Sequence, residues 1–122
     1  MREALAFLLC IHGRRCDAAT VDAALDSLGL RTRRQTMVRM LSQGQRRRVA
    51  LARLAVEDQP SLWLLDEPFD ALDTDGITRV NALLLAHVHR GGNVLLTSHL
   101  SVDPKLRPVE LDLDRFVARI PA

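Results

Sequence analysis

SLWLLDEP, residues 61–68, is the stretch from which the fold of this 122-residue chain is read. Leu62 to Leu65 is an unbroken apolar run bounded by Pro60 and Asp66, the pattern of a parallel strand covered on both faces. Thr74 to Arg90 then has the period of a helix, with Ile77, Val80 and Leu84 on one stripe and Gly91-Gly92 as its stop. Val94 to Thr97 is a second apolar strand. Strand, helix and strand in this order make a βαβ unit, whose crossover is right-handed in about 98% of cases. The fold class is therefore α/β.

Upstream of this unit the pattern is helical. Residues 2–12 read as one helix closed by Gly13. Asp17 can cap a second, in which Val21, Ala24, Leu25 and Leu28 share a face and Gly29 ends the run. Residues 30–41 are an Arg-rich connector without periodicity. LSQGQ, residues 41–45, opens the next helix, because Ser42 and Gln45 have the S-x-x-Q spacing of a capping box. From Val49 to Val56 nearly every residue is apolar, as in a helix buried on most sides. Val109 to Leu113 alternates like a short edge strand, and Leu113 to Ile120 could add a last helical turn or two.

Composition narrows the class. Apolar residues are 48% and charged residues 26%, the balance of a folded chain with one core. Seventeen basic and fifteen acidic side chains leave +2, Lys105 is the only lysine, and aromatics are 3% with no tyrosine. Arg31, Arg33 and Arg34 and Arg46 to Arg48 form local clusters, but nothing here builds a stacking platform, so nucleic acid is not expected as a partner. Cys10 and Cys16 have no zinc-site spacing and read as reduced, structural thiols of a cytosolic protein. The apolar stretch Ala4 to Ile11 is too short to span a bilayer and lacks a cleavage pattern.

The polar residues sit where chemistry is expected. Asp66 and Glu67 leave the carboxyl end of one strand, Ser98 and His99 leave that of the other, and open α/β sheets bind ligands along this edge. A carboxylate fixed directly after a buried strand suits Mg²⁺, which assigns the metal to Asp66. Glu67 is placed to orient and deprotonate a water attacking a γ-phosphate, and His99 to hydrogen-bond that phosphate. LSQGQ offers free helix-start amides with no Cβ at Gly44, an arrangement that suits an anion. Arg46 to Arg48 would sit unfavourably near the same positive helix end without one.

With these residues in view, the chain resembles the nucleotide-binding subunits of ATP-binding-cassette (ABC) transporters. LSQGQRRRVALARL is similar to the family signature and its helix, LWLLDEP to the Walker B strand with its catalytic glutamate, DALD at 70–73 to the D-loop, and LLTSH to the switch-histidine strand. The likeness runs from Met1 to about Leu100. Within the family it is nearest to the ATP-binding subunit of the cytochrome c biogenesis haem exporter, through ALAFLLCIHG, Phe69 in LDEPFDALD, and GGNVLLTSH with its VELDLD tail.

The resemblance implies an ATPase that uses ATP and Mg²⁺, lies peripherally on the cytoplasmic face of the inner membrane, and works as a homodimer with transporter membrane subunits. It implies that Ser42, Gly44 and Gln45 of one subunit meet the ATP held by the other and that Asp73 acts across the interface. It further implies a truncated P-loop NTPase, with residues 1–40 a partial helical subdomain and residues 41–122 the signature helix and carboxyl-terminal half of the core. No G-x-x-x-x-G-K-[ST] loop occurs in these 122 residues. The chain alone is accordingly expected to be inactive, as the carboxyl-terminal part of a protein about 80 residues longer. A non-enzymatic fragment that offers its signature to an intact ATPase is the alternative. A DNA-repair or chromosome ATPase is a third, disfavoured because the helical segment is too short for their coiled-coil insertion.

Overall fold

The computed structural model describes residues 1–116. Six regular elements follow one another: α1 (Arg2–Ile11), α2 (Ala18–Ser27), α3 (Gln43–Ala52), β1 (Leu62–Asp66), α4 (Thr74–His89) and β2 (Asn93–Thr97). Short 3-10 turns fill Arg31–Arg33, Val38–Met40, Arg53–Val56, Pro104–Leu106 and Leu113–Phe116. β1 and β2 pair in parallel with Leu62 opposite Asn93 and Asp66 opposite Thr97, and α4 is the crossover between them.

α2, α3 and α4 start where the sequence supplies a side-chain cap, whereas α1 begins after Met1 without one. The Asp17 carboxylate accepts the Thr20 amide at 3.0 Å and begins α2. At α3 both halves of the capping box are made: Ser42 Oγ accepts the Gln45 amide at 3.1 Å, and Gln45 Oε1 accepts the Ser42 amide at 3.0 Å. Asp73 does the same for α4 by accepting the Gly76 amide at 2.9 Å.

One apolar cluster joins these elements. Leu5 and Leu9 of α1, Val21 and Leu25 of α2, Val49 and Leu51 of α3, Trp63 of β1 and Val80 and Leu84 of α4 all belong to it. His87 is fully buried with them: its ring stacks on Trp63 at 3.7 Å between centroids, and its Nε2 lies 2.8 Å from the Ser61 carbonyl oxygen. A Cβ at Gly92 would run into that ring, so the glycine that stops α4 also makes room for the imidazole.

Several expectations are corrected or limited by the structure. The strands are covered on one face only: Trp63 is buried, whereas Leu62, Leu64 and Leu95 are 61%, 69% and 55% exposed. An apolar run reports what a strand can bury, not what is present to bury it. The helix expected to be enclosed as far as Val56 ends at Ala52 and tightens into a 3-10 turn, leaving Ala50 and Arg53 exposed. No strand forms over residues 109–113, where Val109 is 93% exposed, because alternation without a neighbouring edge leaves the backbone groups unpaired. The final helical segment is limited to the turn at Leu113–Phe116 among the described residues, and its remainder to Ile120 lies outside them.

A further correction concerns the cysteines. Cys10 and Cys16 are joined in a disulfide rather than held as separate thiols. The chain reverses between α1 and α2 through Gly13 at φ 66°, which brings the two Cα atoms to 5.5 Å, within the range a disulfide spans.

Candidate functional site

β1 and β2 end side by side, and their last residues face each other across the ladder. The Thr97 hydroxyl donates to Asp66 Oδ1 at 2.6 Å and accepts the Glu67 amide at 3.0 Å. One hydroxyl thus fixes both the first carboxylate and the peptide that carries the second. Glu67 then turns off the strand at φ 46°, in the left-handed region that residues with a Cβ seldom occupy. Its carboxylate reaches the other strand end: Oε1 lies 3.2 Å from His99 Nε2, and Oε2 accepts the His99 amide at 3.3 Å. Ser98 folds back on its own loop, its hydroxyl donating to the Leu100 carbonyl and accepting the Leu100 amide.

The structure therefore brings Asp66, Glu67 and His99 together at one edge. Glu67 is partly shielded, with a side-chain exposure of 31%, while His99 is 94% exposed. The Asp66 carboxylate, the Thr97 hydroxyl and the Glu67 carboxylate offer oxygen alone. That set fits Mg²⁺, which takes one or two carboxylates from a protein and completes its shell with water and phosphate. Among the described residues no group of three or more His, Cys, Asp or Glu side chains gathers as a closed metal site.

Ser42, Gly44 and Gln45 lie at the start of α3, and Asp73 at the start of α4. Among the described residues no hydrogen bond joins Ser42 or Gln45 to the acid–imidazole group. Gly44 packs against the DALD segment: a Cβ there would lie 2.6 Å from the Ala71 carbonyl oxygen, so only glycine permits this approach. Asp73, besides capping α4, pairs with Arg48, whose Nη1 also reaches Asp75 at 3.0 Å and the Leu28 carbonyl at 3.1 Å. The Gly76 amide first, and the Arg48 guanidinium second, hold the Asp73 carboxyl below its usual value. Asp75 is likewise lowered, mainly by Arg79.

The arginines after LSQGQ find partners within the chain. Arg46 Nε donates to the Leu41 carbonyl at 3.1 Å, and Arg47 Nη2 donates to the carbonyls of Asp66 at 2.8 Å and Glu67 at 2.6 Å. Oxygens of the chain take up part of their donor capacity, and Arg47 Nε is left buried without a partner among the described residues. Three residues of this site, Thr97, Arg47 and Arg48, lie within the LLTSH and LSQGQRRRVALARL stretches, but the sequence assigns them no role at the strand edge. For Thr97 the available clue was a lone hydroxyl at the last position of an otherwise apolar strand, in register with the acid of its neighbour.

The comparisons with known proteins bear on the family. The family model described as ABC transporter matches residues 5–70. The cytochrome c biogenesis ATP-binding export protein CcmA of Vibrio cholerae serotype O1 is 44% identical over 112 residues, which cover 89% of this chain and 54% of that protein. Its namesake in Albidiferax ferrireducens is 44% identical over 91% of this chain and 52% of its own length. The one in Xanthomonas oryzae pv. oryzae is 50% identical over 80% and 44%. The chain spans about half the length of the curated relatives it matches.

Proposed function

Since the chain belongs to the ABC transporter family, we propose that it supplies part of the ATP-binding and ATP-hydrolysing subunit of an exporter for cytochrome c biogenesis, with haem as cargo. Residues 1–40 serve as a partial helical subdomain, and residues 41–122 as the signature helix and the carboxyl-terminal half of the ATPase core. The observation that carries the reading is the 3.2 Å pairing of Glu67 with His99 beside Asp66 at a shared strand edge. Relatives named for ATP-binding export in cytochrome c biogenesis support the biological setting.

In this reading Glu67 accepts a proton from the attacking water and orients it in line with the γ-phosphate. His99 donates a hydrogen bond to that phosphate, and its exposure leaves it accessible to a nucleotide. Asp66, steadied by Thr97, holds Mg²⁺, which when bound neutralises phosphate charge. Ser42, Gly44 and Gln45 meet the nucleotide of a second subunit in a homodimer at the positive start of α3, the Ser42–Gln45 capping box holding that helix end in shape, and Asp73 acts across the same interface. The helical segment docks on membrane subunits from the cytoplasmic face. No helix among the described residues is long and apolar enough to cross a membrane itself.

The chain has no G-x-x-x-x-G-K-[ST] of its own, so by itself it binds ATP poorly and does not hydrolyse it. The test joins a strand and phosphate loop of that pattern ahead of Met1 and compares ATP turnover with that of the chain alone. Turnover by the joined protein only, dependent on Mg²⁺, is the expected result. Equal turnover by both, or by neither when the joined protein binds ATP, overturns the proposal.

A further inference from the structure

We propose that Arg47 is a positioning residue: its guanidinium clamps the turn at Glu67 and thereby ties the helix that begins at Ser42 to the acid pair. The inference rests on the reading of Glu67 as the residue that handles the attacking water. The Glu67 peptide is gripped on both sides, its amide by Thr97 Oγ1 at 3.0 Å and its carbonyl by Arg47 Nη2 at 2.6 Å. The same Nη2 takes the Asp66 carbonyl at 2.8 Å, so one nitrogen bridges the two successive carbonyls at the point where the strand ends.

That grip falls where the backbone needs it. Glu67 has φ 46° and carries a full side chain, so the turn is not one its own preference selects. Released from the Arg47 bond, the peptide is free to relax toward negative φ, which swings the carboxylate away from His99. Arg47 is half-buried on α3, and its Nε is buried with no partner among the described residues. A solvated surface arginine would not give up that hydration, so the head group is committed to the turn.

The experiment is nuclear magnetic resonance of the 122-residue chain without nucleotide. A positive φ gives a strong intraresidue contact between the amide and α protons. Glu67 shows it, and Ala71, at φ 61° in the next turn, provides an internal control. Arg47→Met keeps the aliphatic stem and removes the donors. The expected result is loss of the Glu67 signal and at least tenfold faster exchange of its amide, with Ala71 and the core signals of Val80 and Leu84 unchanged. Arg47→Lys restores part of the Glu67 signal.

Retention of the Glu67 signal in Arg47→Met overturns the proposal. So does its loss together with the Ala71 and core signals, which assigns Arg47 to general scaffolding. Should Arg47→Met fail to fold, Arg47→Lys decides: a change confined to Glu67 supports the clamp, and parallel changes at Glu67 and Ala71 overturn it. None of these readouts uses ATP, so a failure of the clamp and a failure of the hydrolysis reading are told apart.

Discussion

Thr97 shows how one atom can organise a site. Its hydroxyl bonds to Asp66 and to the Glu67 amide, so Thr97→Val removes a donor and an acceptor while conserving shape. A lost bond to a charged group is worth about 1.5–3 kcal/mol. In the loop-joined protein turnover is expected to fall about tenfold or more with β2 intact, read as kcat beside the circular dichroism spectrum. Asp66, Glu67 and His99 were legible as candidates because polar side chains just past the ends of apolar runs stand out. Thr97 was not, because a β-branched residue inside a strand reads as a strand former.

Charge at the start of α4 makes a further prediction at this scale. Asp73 and Asp75 are both held below the usual carboxylate value. A depressed folded-state value means stability that is fully present above the unfolded value of about 3.9 and is lost as pH falls through the folded values. Arg48→Met removes one partner from each carboxylate but leaves the Gly76 amide and Arg79 in place. Its acid-unfolding midpoint, followed by circular dichroism, should move to higher pH than that of the parent.

Among the elements, the helices were the most legible. α2 and α3 begin at the capping residues expected, and α4 keeps Val80 and Leu84 of its stripe in the core. Leu84→Ala in that buried stripe should cost about 2–5 kcal/mol, measured by urea unfolding. The strands were legible as strands, but their covering was not, because burial depends on what lies across the sheet. The disulfide escaped for a related reason: spacing alone does not show that a turn at Gly13 brings residues 10 and 16 together. Closing so short a loop is worth roughly 2 kcal/mol. Reductant, or the double change Cys10→Ser and Cys16→Ser, should lower stability by about that amount, and thiol alkylation before and after reduction verifies the bond.

The whole molecule is organised around one core and one open face. The core holds α1 to α4 against the inner side of the sheet, whereas Leu62, Leu64 and Leu95 remain on the surface. Exposed apolar strand residues promote self-association. Leu64→Ser should reduce the weight-average mass in sedimentation at high concentration without lowering unfolding stability. The same sheet presents the acid pair and His99 at its carboxyl edge, which joins the fold to the proposed chemistry. The measurement that tests that link most directly is single-turnover hydrolysis by the loop-joined protein carrying Glu67→Gln, with ATP affinity measured in parallel. If Glu67 handles the attacking water, the rate falls about 100-fold or more and affinity is unchanged; an undiminished rate would contradict the account.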